Sequence, residues 1–307
     1  LVVFKGAYGL FGLHAWLWHV AAICLHLANV ALLYSFMRRM RLSPAAATVG
    51  AALFGVFFSH PEAVTWLCAC SGVMAAFFGL VAAHIAISTR IPPVARGLLC
   101  ACVWMLGLFS KEEVAGFAAA LPFLPLLVEG KKNKTELAKW FGSCLAFAAG
   151  ILVFQRLELA CQQQLGNPRA HIDAISLRLA TSFTLQAMRV PMTLLSVSTL
   201  WGVMLLAVVP VLVWFRRPDL RLGLLFFFGP AFVIGLCAGS LGAPDRYLYI
   251  PSIGLAILLA QLMEGLRKRE VGPVFTGWLM LGMFIIVLAQ TPWAAVSWAV
   301  IAVLAVW

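Results

Sequence analysis

Three short charged segments interrupt an otherwise apolar chain, and each stands at the end of an apolar run. They read Ser59-His60-Pro61-Glu62, Ser110-Lys111-Glu112-Glu113 and Pro244-Asp245-Arg246-Tyr247. Together they supply carboxylates, an imidazole, an ammonium and a guanidinium, the groups that carry protons and bind phosphates. If the three segments share one face of a membrane, we predict that they form one active site.

The third segment is the best candidate for binding a phosphate. The planar guanidinium of Arg246 can make bidentate contacts with a phosphate, and Lys111 can meet such a group as a point charge. Tyr247 and Tyr249 add hydroxyl groups beside Arg246. The alternative is a plain ion pair between Asp245 and Arg246.

The other two segments offer groups for proton transfer. An imidazole and a carboxylate held close together at a dry membrane boundary, as His60 and Glu62 would be, can position an acceptor hydroxyl or carry a proton. The second segment is so short a turn that at least one of Lys111, Glu112 and Glu113 must point back towards the helices, where an ion pair lowers the cost of burial. The alternative for each segment is a solvated turn at the end of a helix, with no role in chemistry.

Composition places these segments in a membrane protein. Of the 307 residues, 63% are hydrophobic and 11% are charged, which is too apolar for a soluble domain of this length. Long stretches that are apolar on every side predict spanning helices. The sequence does not show the alternation of polar and apolar residues that would predict the strands of a β-barrel. We therefore predict one all-α, polytopic transmembrane domain over residues 1–307, with about 10–11 spans.

Eleven apolar runs are the candidate spans. A bilayer core needs about 20 residues, so the shorter runs need polar flanks, local thinning or burial behind neighbouring helices. The runs lie near residues 16–37, 44–59, 70–88, 94–109, 113–129, 139–160, 196–215, 222–240, 250–265, 273–289 and 293–307.

The cations predict which connections are cytoplasmic. The net charge is +11, but the cations form small clusters between spans rather than one basic surface, which argues against a nucleic-acid partner. By the positive-inside rule the clustered connections are cytoplasmic, and all three charged segments then face outward. The clusters occupy every second connection: Arg38, Arg39 and Arg41; Arg90 and Arg96; Lys131, Lys132, Lys134 and Lys139; Arg216, Arg217 and Arg221; Arg267, Lys268 and Arg269.

Residues 161–195 form one long exterior segment. Arg169, Arg178 and Arg189 recur there among apolar residues at roughly helical spacing, which predicts a helix lying on the membrane surface. Arg189 is a secondary candidate for contact with a membrane lipid headgroup or a lipid-linked phosphate, and simple snorkelling is the alternative.

The first span carries a polar stripe. His19, His26 and Asn29 are spaced so that they share one helix face, and such a stripe faces protein rather than lipid. Hydrogen bonding between helices is one interpretation, and direct contact with a substrate is the other. Cys68 and Cys70 are spaced too tightly for a structural zinc pair, so we predict no metal site from the residues themselves.

Four blocks of residues carry a family resemblance. The chain resembles the GT-C superfamily of polyprenyl-phosphate-sugar-dependent glycosyltransferases, especially the transmembrane and tetratricopeptide-repeat O-mannosyltransferases and their bacterial relatives. The blocks, in the family's order, are Gly9-Leu10-Phe11-Gly12 leading into His19, His26 and Asn29; His60-Pro61-Glu62-Ala63-Val64-Thr65-Trp66; Ser110-Lys111-Glu112; and Arg246-Tyr247-Leu248-Tyr249-Ile250-Pro251-Ser252-Ile253-Gly254.

The resemblance implies a GT-C-like fold and an inverting transfer of a sugar from a polyprenyl phosphate to a protein or glycan acceptor. The resemblance also implies that the protein is located in a bacterial inner membrane, with its active site on the periplasmic face. Arg246 and Lys111 would bind the departing phosphate, while Glu62 and Glu112 would orient hydroxyls or the cations. The family's usual catalytic carboxylate lies in a first exterior loop, which we expect to precede Leu1 and which is where a divalent cation would be held.

Departures from the family pattern leave other classes of protein open. Ala69, Cys70 and Gly72 stand where relatives carry a Gly-Arg pair and an Asp, and Phe57 stands where they carry the first His of a pair. A related fold without catalysis would serve as a membrane scaffold, or as one subunit among partner membrane subunits. A transporter would be expected to show two repeated halves, and the sequence shows no such repeat. Both ends of the chain are expected to be truncated.

Overall fold

The computed structural model describes residues 2–57, 60–129, 134–165, 217–237 and 245–268. Every regular element within these ranges is a helix, which confirms the all-α prediction for this part of the chain. The α-helices are α1 (Val2–Phe11), α2 (Ala15–Arg39), α3 (Pro44–Gly55), α4 (His60–Thr65), α5 (Cys70–Ala86), α6 (Pro93–Ser110), α7 (Leu124–Glu129), α8 (Lys134–Leu165), α9 (Arg221–Cys237) and α10 (Tyr249–Lys268). Short 3-10 helices lie at Leu67–Ala69, Glu112–Ala119, Leu121–Phe123, Pro218–Leu220 and Asp245–Leu248.

Five helical segments of the described chain are long and apolar enough to cross a membrane. The protein is therefore a membrane-embedded, all-α protein. The segments match the predicted spans near 16–37, 70–88, 94–109, 139–160 and 250–265, and they run over Ala15–Arg39, Leu67–Ala86, Pro93–Ser110, Lys134–Phe154 and Arg246–Gly265.

Two further predicted spans are present as shorter helices. The run near 44–59 becomes α3, which has 12 residues, and the run near 222–240 becomes α9, which has 17 residues. The predicted spans near 196–215, 273–289 and 293–307 lie outside the described residues. So does most of the predicted exterior segment, because α8 continues to Leu165 and the description resumes only at residue 217.

The predicted span near 113–129 is wrong as a single α-helix. The chain there forms the 3-10 helices Glu112–Ala119 and Leu121–Phe123 and then the six-residue α7. Pro122 and Pro125 cannot donate the backbone hydrogen bonds that a continuous helix needs. The hydrophobic run therefore enters the protein core as short turns, with Phe117 and Leu121 fully buried.

Close backbone contacts hold the 3-10 helix Glu112–Ala119 against α9. A side chain added at Gly116 would overlap the backbone of Gly229 and Pro230. Pro230 lies inside α9, where it has no N–H to donate to the helix. Gly254 makes a similar approach between α10 and the backbone of Phe227 on α9. Only glycine lets these segments come so near, so both positions fix how the helices cross.

The two ends of α10 separate two sets of charges. Arg246 precedes the helix and Arg267 lies at its other end, about 30 Å away for a helix of this length. Near that second end, Glu264 accepts a hydrogen bond from the backbone N–H of Ser43 at 3.0 Å. The connection between α2 and α3, which contains Arg41, therefore lies at the end of the helices opposite to Arg246.

Candidate functional site

The first and third charged segments meet at one end of the helices. Arg246 donates from Nη1 to Glu62 Oε1 at 2.7 Å, and its backbone N–H donates to Glu62 Oε2 at 3.1 Å. One carboxylate therefore holds both the side chain and the main chain of Arg246, which fixes the 3-10 helix Asp245–Leu248 on α4. Both side chains remain partly exposed, at 26% for Arg246 and 35% for Glu62.

Aromatic rings hold the guanidinium of Arg246 in place. Its Cζ lies 4.5 Å from the ring centre of Trp66 and 5.2 Å from that of Tyr247. Lys111 reaches the same tyrosine, with Nζ 4.6 Å from the ring centre. Each such contact contributes about 0.5–1 kcal/mol at a partly exposed site. The second charged segment therefore joins the other two, since one ring receives both cations.

The second segment places one of its carboxyl groups inside the protein. Glu113 is only 2% exposed, and its Oε1 lies 3.5 Å from Lys111 Nζ. That distance is an ion-pair contact, and Oε1 accepts no hydrogen bond in the described structure. Burial raises the pKa of Glu113 to about 8, although Lys111 partly opposes the rise. The buried carboxyl group therefore holds its proton more tightly than an exposed glutamic acid does, even beside Lys111.

These residues line a cavity of about 200 Å³, which we call the charged cavity. Sites that enclose a whole drug-sized ligand usually have about 300–1,000 Å³, so the charged cavity matches the polar end of a ligand. Its walls present two cations and one carboxyl group whose ionisation burial opposes, an arrangement that favours an anion. The lining residues are Trp66, Cys68, Ala69, Gly72, Lys111, Glu113, Arg246 and Tyr247.

Four of the site residues predicted from the sequence lie at this cavity. Lys111, Arg246 and Tyr247 line it, and Glu62 anchors Arg246 beside it. Glu112, the carboxylate predicted from the second segment, is half-buried and does not line the cavity, whereas its neighbour Glu113 does. Adjacent glutamates look alike in sequence, and only the turn of the 3-10 helix decides which one points inward.

Tyr249, predicted as a substrate-binding residue, lies instead in the protein core. It is fully buried, and its hydroxyl accepts a hydrogen bond from Asn29 Nδ2 at 3.1 Å. His26 Nε2 lies 3.1 Å from the carbonyl of Gly55 and must donate to it, so His26 Nδ1 accepts from the Tyr249 hydroxyl at 2.7 Å. The first residue of α10 is therefore committed to helix packing.

His60, predicted as an acid–base candidate, is also buried and lies away from the cavity lining. Ser252 donates to the carbonyl of Tyr249 at 2.7 Å, so its oxygen accepts from His60 Nε2 at 2.8 Å. Burial, together with the neighbouring His26, holds the pKa of His60 well below its ordinary value. The imidazole is neutral at physiological pH and packs 4.4 Å from the ring centre of Tyr249.

The polar stripe of the first span divides between two environments. His26 and Asn29 join the core network, and Asn29 also donates to the carbonyl of Val73 at 2.9 Å. His19 is half-buried and makes no hydrogen bond with other described residues. The secondary candidate Arg189 lies outside the described residues. Within the described ranges, no three His, Cys, Asp or Glu side chains lie close enough together to hold a metal ion.

The fold and the site together define a class: an all-α membrane-embedded protein with a charged cavity at one end of its helices. No protein-family model matches the chain, and no curated protein or solved structure matches it significantly.

Proposed function

We propose that the protein transfers a sugar from a polyprenyl-phosphate donor to an acceptor, with the charged cavity holding the phosphate. The observation that carries this proposal is that Lys111 and Arg246 both contact the ring of Tyr247 while lining one cavity. Two cations fixed side by side match the charge of the phosphate in a lipid-linked sugar. The planar guanidinium of Arg246 can also donate two hydrogen bonds to that phosphate.

The chemistry suits a departing phosphate. Breaking the bond between the sugar and the phosphate leaves negative charge on the phosphate oxygens, and fixed cations in a partly dry site stabilise that charge as it develops. Glu62 positions Arg246 for this role by binding both its guanidinium and its backbone N–H. The volume of the cavity fits the phosphate end, so the lipid chain would lie along the membrane-spanning helices.

The orientation belongs to the same proposal. The charged cavity and the arginine-rich connections lie at opposite ends of α10, and the positive-inside rule assigns the arginine-rich end to the cytoplasm. The cavity would then face the exterior, which is the periplasm in a bacterial inner membrane. A protein or a glycan would be the acceptor there, and the fold would be GT-C-like.

The test is a transfer assay with the full-length protein in lipid nanodiscs and a panel of polyprenyl-phosphate sugars. We expect release of polyprenyl phosphate, and we expect Arg246→Lys to lose about as much activity as Arg246→Ala, because lysine keeps the charge but not the bidentate contact. Arg267→Ala is the matched control, since it removes a glutamate-paired arginine from the other end of α10. Retained activity in Arg246→Lys would contradict the proposed role of Arg246.

A non-catalytic scaffold is the second candidate, and one observation favours it. Each cation of the cavity already lies beside an acidic side chain, Arg246 beside Glu62 at 2.7 Å and Lys111 beside Glu113 at 3.5 Å. Charged side chains that pair with one another in this way can hold the ends of helices together without any ligand. For a scaffold, Arg246→Ala would lower the melting temperature, and binding of polyprenyl phosphate to the wild-type protein would be undetectable.

A further inference from the structure

The end of α2 places an arginine in a backbone conformation that favours glycine. Arg41 has φ = 65°, and the surrounding hydrogen bonds run from its N–H to the carbonyl of Arg38 at 3.0 Å and from Leu42 N–H to the carbonyl of Met37 at 3.2 Å. Helices often end in this way, usually with glycine at the left-handed position. Leu42 is 7% exposed and anchors the turn, so the backbone stays strained although the residue is arginine.

The side chain of Arg41 makes no hydrogen bond or ion pair with the other described residues that would offset this strain. Arg39 and Arg41 are both exposed, and neither has a carboxylate partner among the described residues. Arg38 differs, because it donates to the carbonyl of Leu42 at 2.5 Å. Two exposed arginine side chains therefore stand at this turn, and the described part of the chain supplies no carboxylate to either.

The end of α10 extends the same charged surface. Glu264 is only 4% exposed and accepts from the backbone of Ser43 at 3.0 Å and from Arg267 at 2.6 Å. That single carboxylate clamps the α2–α3 turn against the helix end, where Arg267 and Lys268 remain 60% and 68% exposed. We call the four exposed cations Arg39, Arg41, Arg267 and Lys268 the basic rim.

We propose that the basic rim is a binding surface for the phosphate headgroup of an anionic phospholipid. The rim lies at the ends of membrane-length helices, the depth at which headgroup phosphates meet lysine and arginine side chains. Leu262, exposed at 39% and less than two turns before Lys268, offers apolar surface to an acyl chain. The Arg217–Asp219 ion pair lies beside Gly265 at the same end and adds no net charge. Glu264 is then one carboxylate beside four cations, so the rim carries an excess of positive charge. This surface is independent of the charged cavity at the opposite end.

The test compares full-length protein in nanodiscs of pure phosphatidylcholine with protein in nanodiscs of equal parts phosphatidylcholine and phosphatidylglycerol. The informative variant is Arg41→Gly, because glycine relieves the backbone while removing the charge. We expect Arg41→Gly to melt at a higher temperature than wild type in phosphatidylcholine. We also expect it to gain less from phosphatidylglycerol, with lipid affinity about fivefold weaker for each arginine removed.

Two controls show whether the stabilisation requires the basic rim and whether it requires a lipid. Arg90→Ala removes an exposed arginine from a different connection and should leave the phosphatidylglycerol effect unchanged. Inorganic phosphate added to the phosphatidylcholine sample should not reproduce the stabilisation. An equal response to phosphatidylglycerol in wild type, Arg41→Gly and the double variant Arg39→Ala/Arg41→Gly would overturn the proposal, as would full stabilisation by inorganic phosphate.

Discussion

Glu62 and Arg246 lie 184 positions apart in the chain, and the carboxylate of Glu62 binds both the guanidinium and the backbone N–H of Arg246. This double contact is more than a charge pair, because it fixes the start of the 3-10 helix that leads into α10. The orientation of the cation and the path of the main chain are therefore set by the same side chain.

Glu62→Gln separates these two roles. The amide oxygen of glutamine can still accept the backbone hydrogen bond, but the guanidinium loses its counter-charge. We expect a melting temperature within a few degrees of wild type and a tighter affinity for polyprenyl phosphate, by about threefold to tenfold, since the competing anion is gone. Thermal unfolding and a lipid-binding titration measure the two effects. Glu62→Ala should lose about 1–2 kcal/mol of stability, and weaker binding in Glu62→Gln would contradict the expected competition.

Glu113 should make stability fall as the pH rises. Its pKa is raised from 4.5 to about 8 in the folded protein, so between these two values the folded state holds a proton that the unfolded state releases. By linkage, the contribution of this group to stability is complete below about pH 4.5 and is lost as the pH rises towards 8. Glu113→Gln cannot titrate, so its melting temperature should fall less than that of wild type between pH 5 and 8.

The comparison is made between the two proteins at each pH, which removes contributions from other titrating groups. Parallel curves for wild type and Glu113→Gln would show that Glu113 has an ordinary pKa. Glu112→Gln serves as the neighbouring control, because that side chain does not line the cavity.

Tyr249→Phe tests the buried hydrogen-bond network. The change removes the hydroxyl that donates to His26 and accepts from Asn29, and leaves both partners in the core without it. We expect a loss of about 1–2 kcal/mol, measured by thermal or denaturant unfolding in detergent. Tyr247→Phe keeps the ring that contacts both cations and should cost much less. Equal losses in the two variants would argue that the Tyr249 hydroxyl has no special role.

Gly116→Ala tests the close contact between the 3-10 helix Glu112–Ala119 and α9. The added methyl group would overlap the backbone of Gly229 and Pro230, so we expect a loss of about 3 kcal/mol, measured by denaturant unfolding. Gly142→Ala is the matched control in α8, where nothing lies within 4 Å of the added group. Because alanine is the better helix former, that change should stabilise the protein by about 0.5–1 kcal/mol. A neutral Gly116→Ala would mean that the two segments are less tightly packed.

The sequence predicted the helices well where hydrophobicity alone decides the outcome. Runs such as the one near 16–37 became continuous helices because a long apolar stretch without Pro or Gly breaks satisfies its backbone only as a helix. The run near 113–129 has the same apolar character, but its prolines and its glycine contact with α9 divide it into short turns. Hydrophobicity therefore predicts which runs are buried, and the prolines and glycines of a run decide whether it forms a continuous helix or short turns.

The candidate site, too, could be predicted only in part from the sequence. The sequence predicted that three charged segments could meet, and the contacts among Glu62, Arg246 and Lys111 bring them together. It did not predict that Tyr249 would be buried two positions after the cavity-lining Tyr247. The chain changes there from a 3-10 helix to an α-helix, and the direction of each side chain changes with it.

The contact at Gly116 also bears on how well the buried acid is placed. Side chains three positions apart are eclipsed in a 3-10 helix, so Glu113 and Gly116 stand on the same edge of the segment Glu112–Ala119. One end of that edge presents a carboxyl group to the charged cavity, and the other rests directly on the backbone of Gly229 and Pro230 in α9. A single 3-10 turn thus connects the contact with Pro230 to the cavity wall. The position of the Glu113 carboxyl group therefore depends on how closely this segment packs against α9.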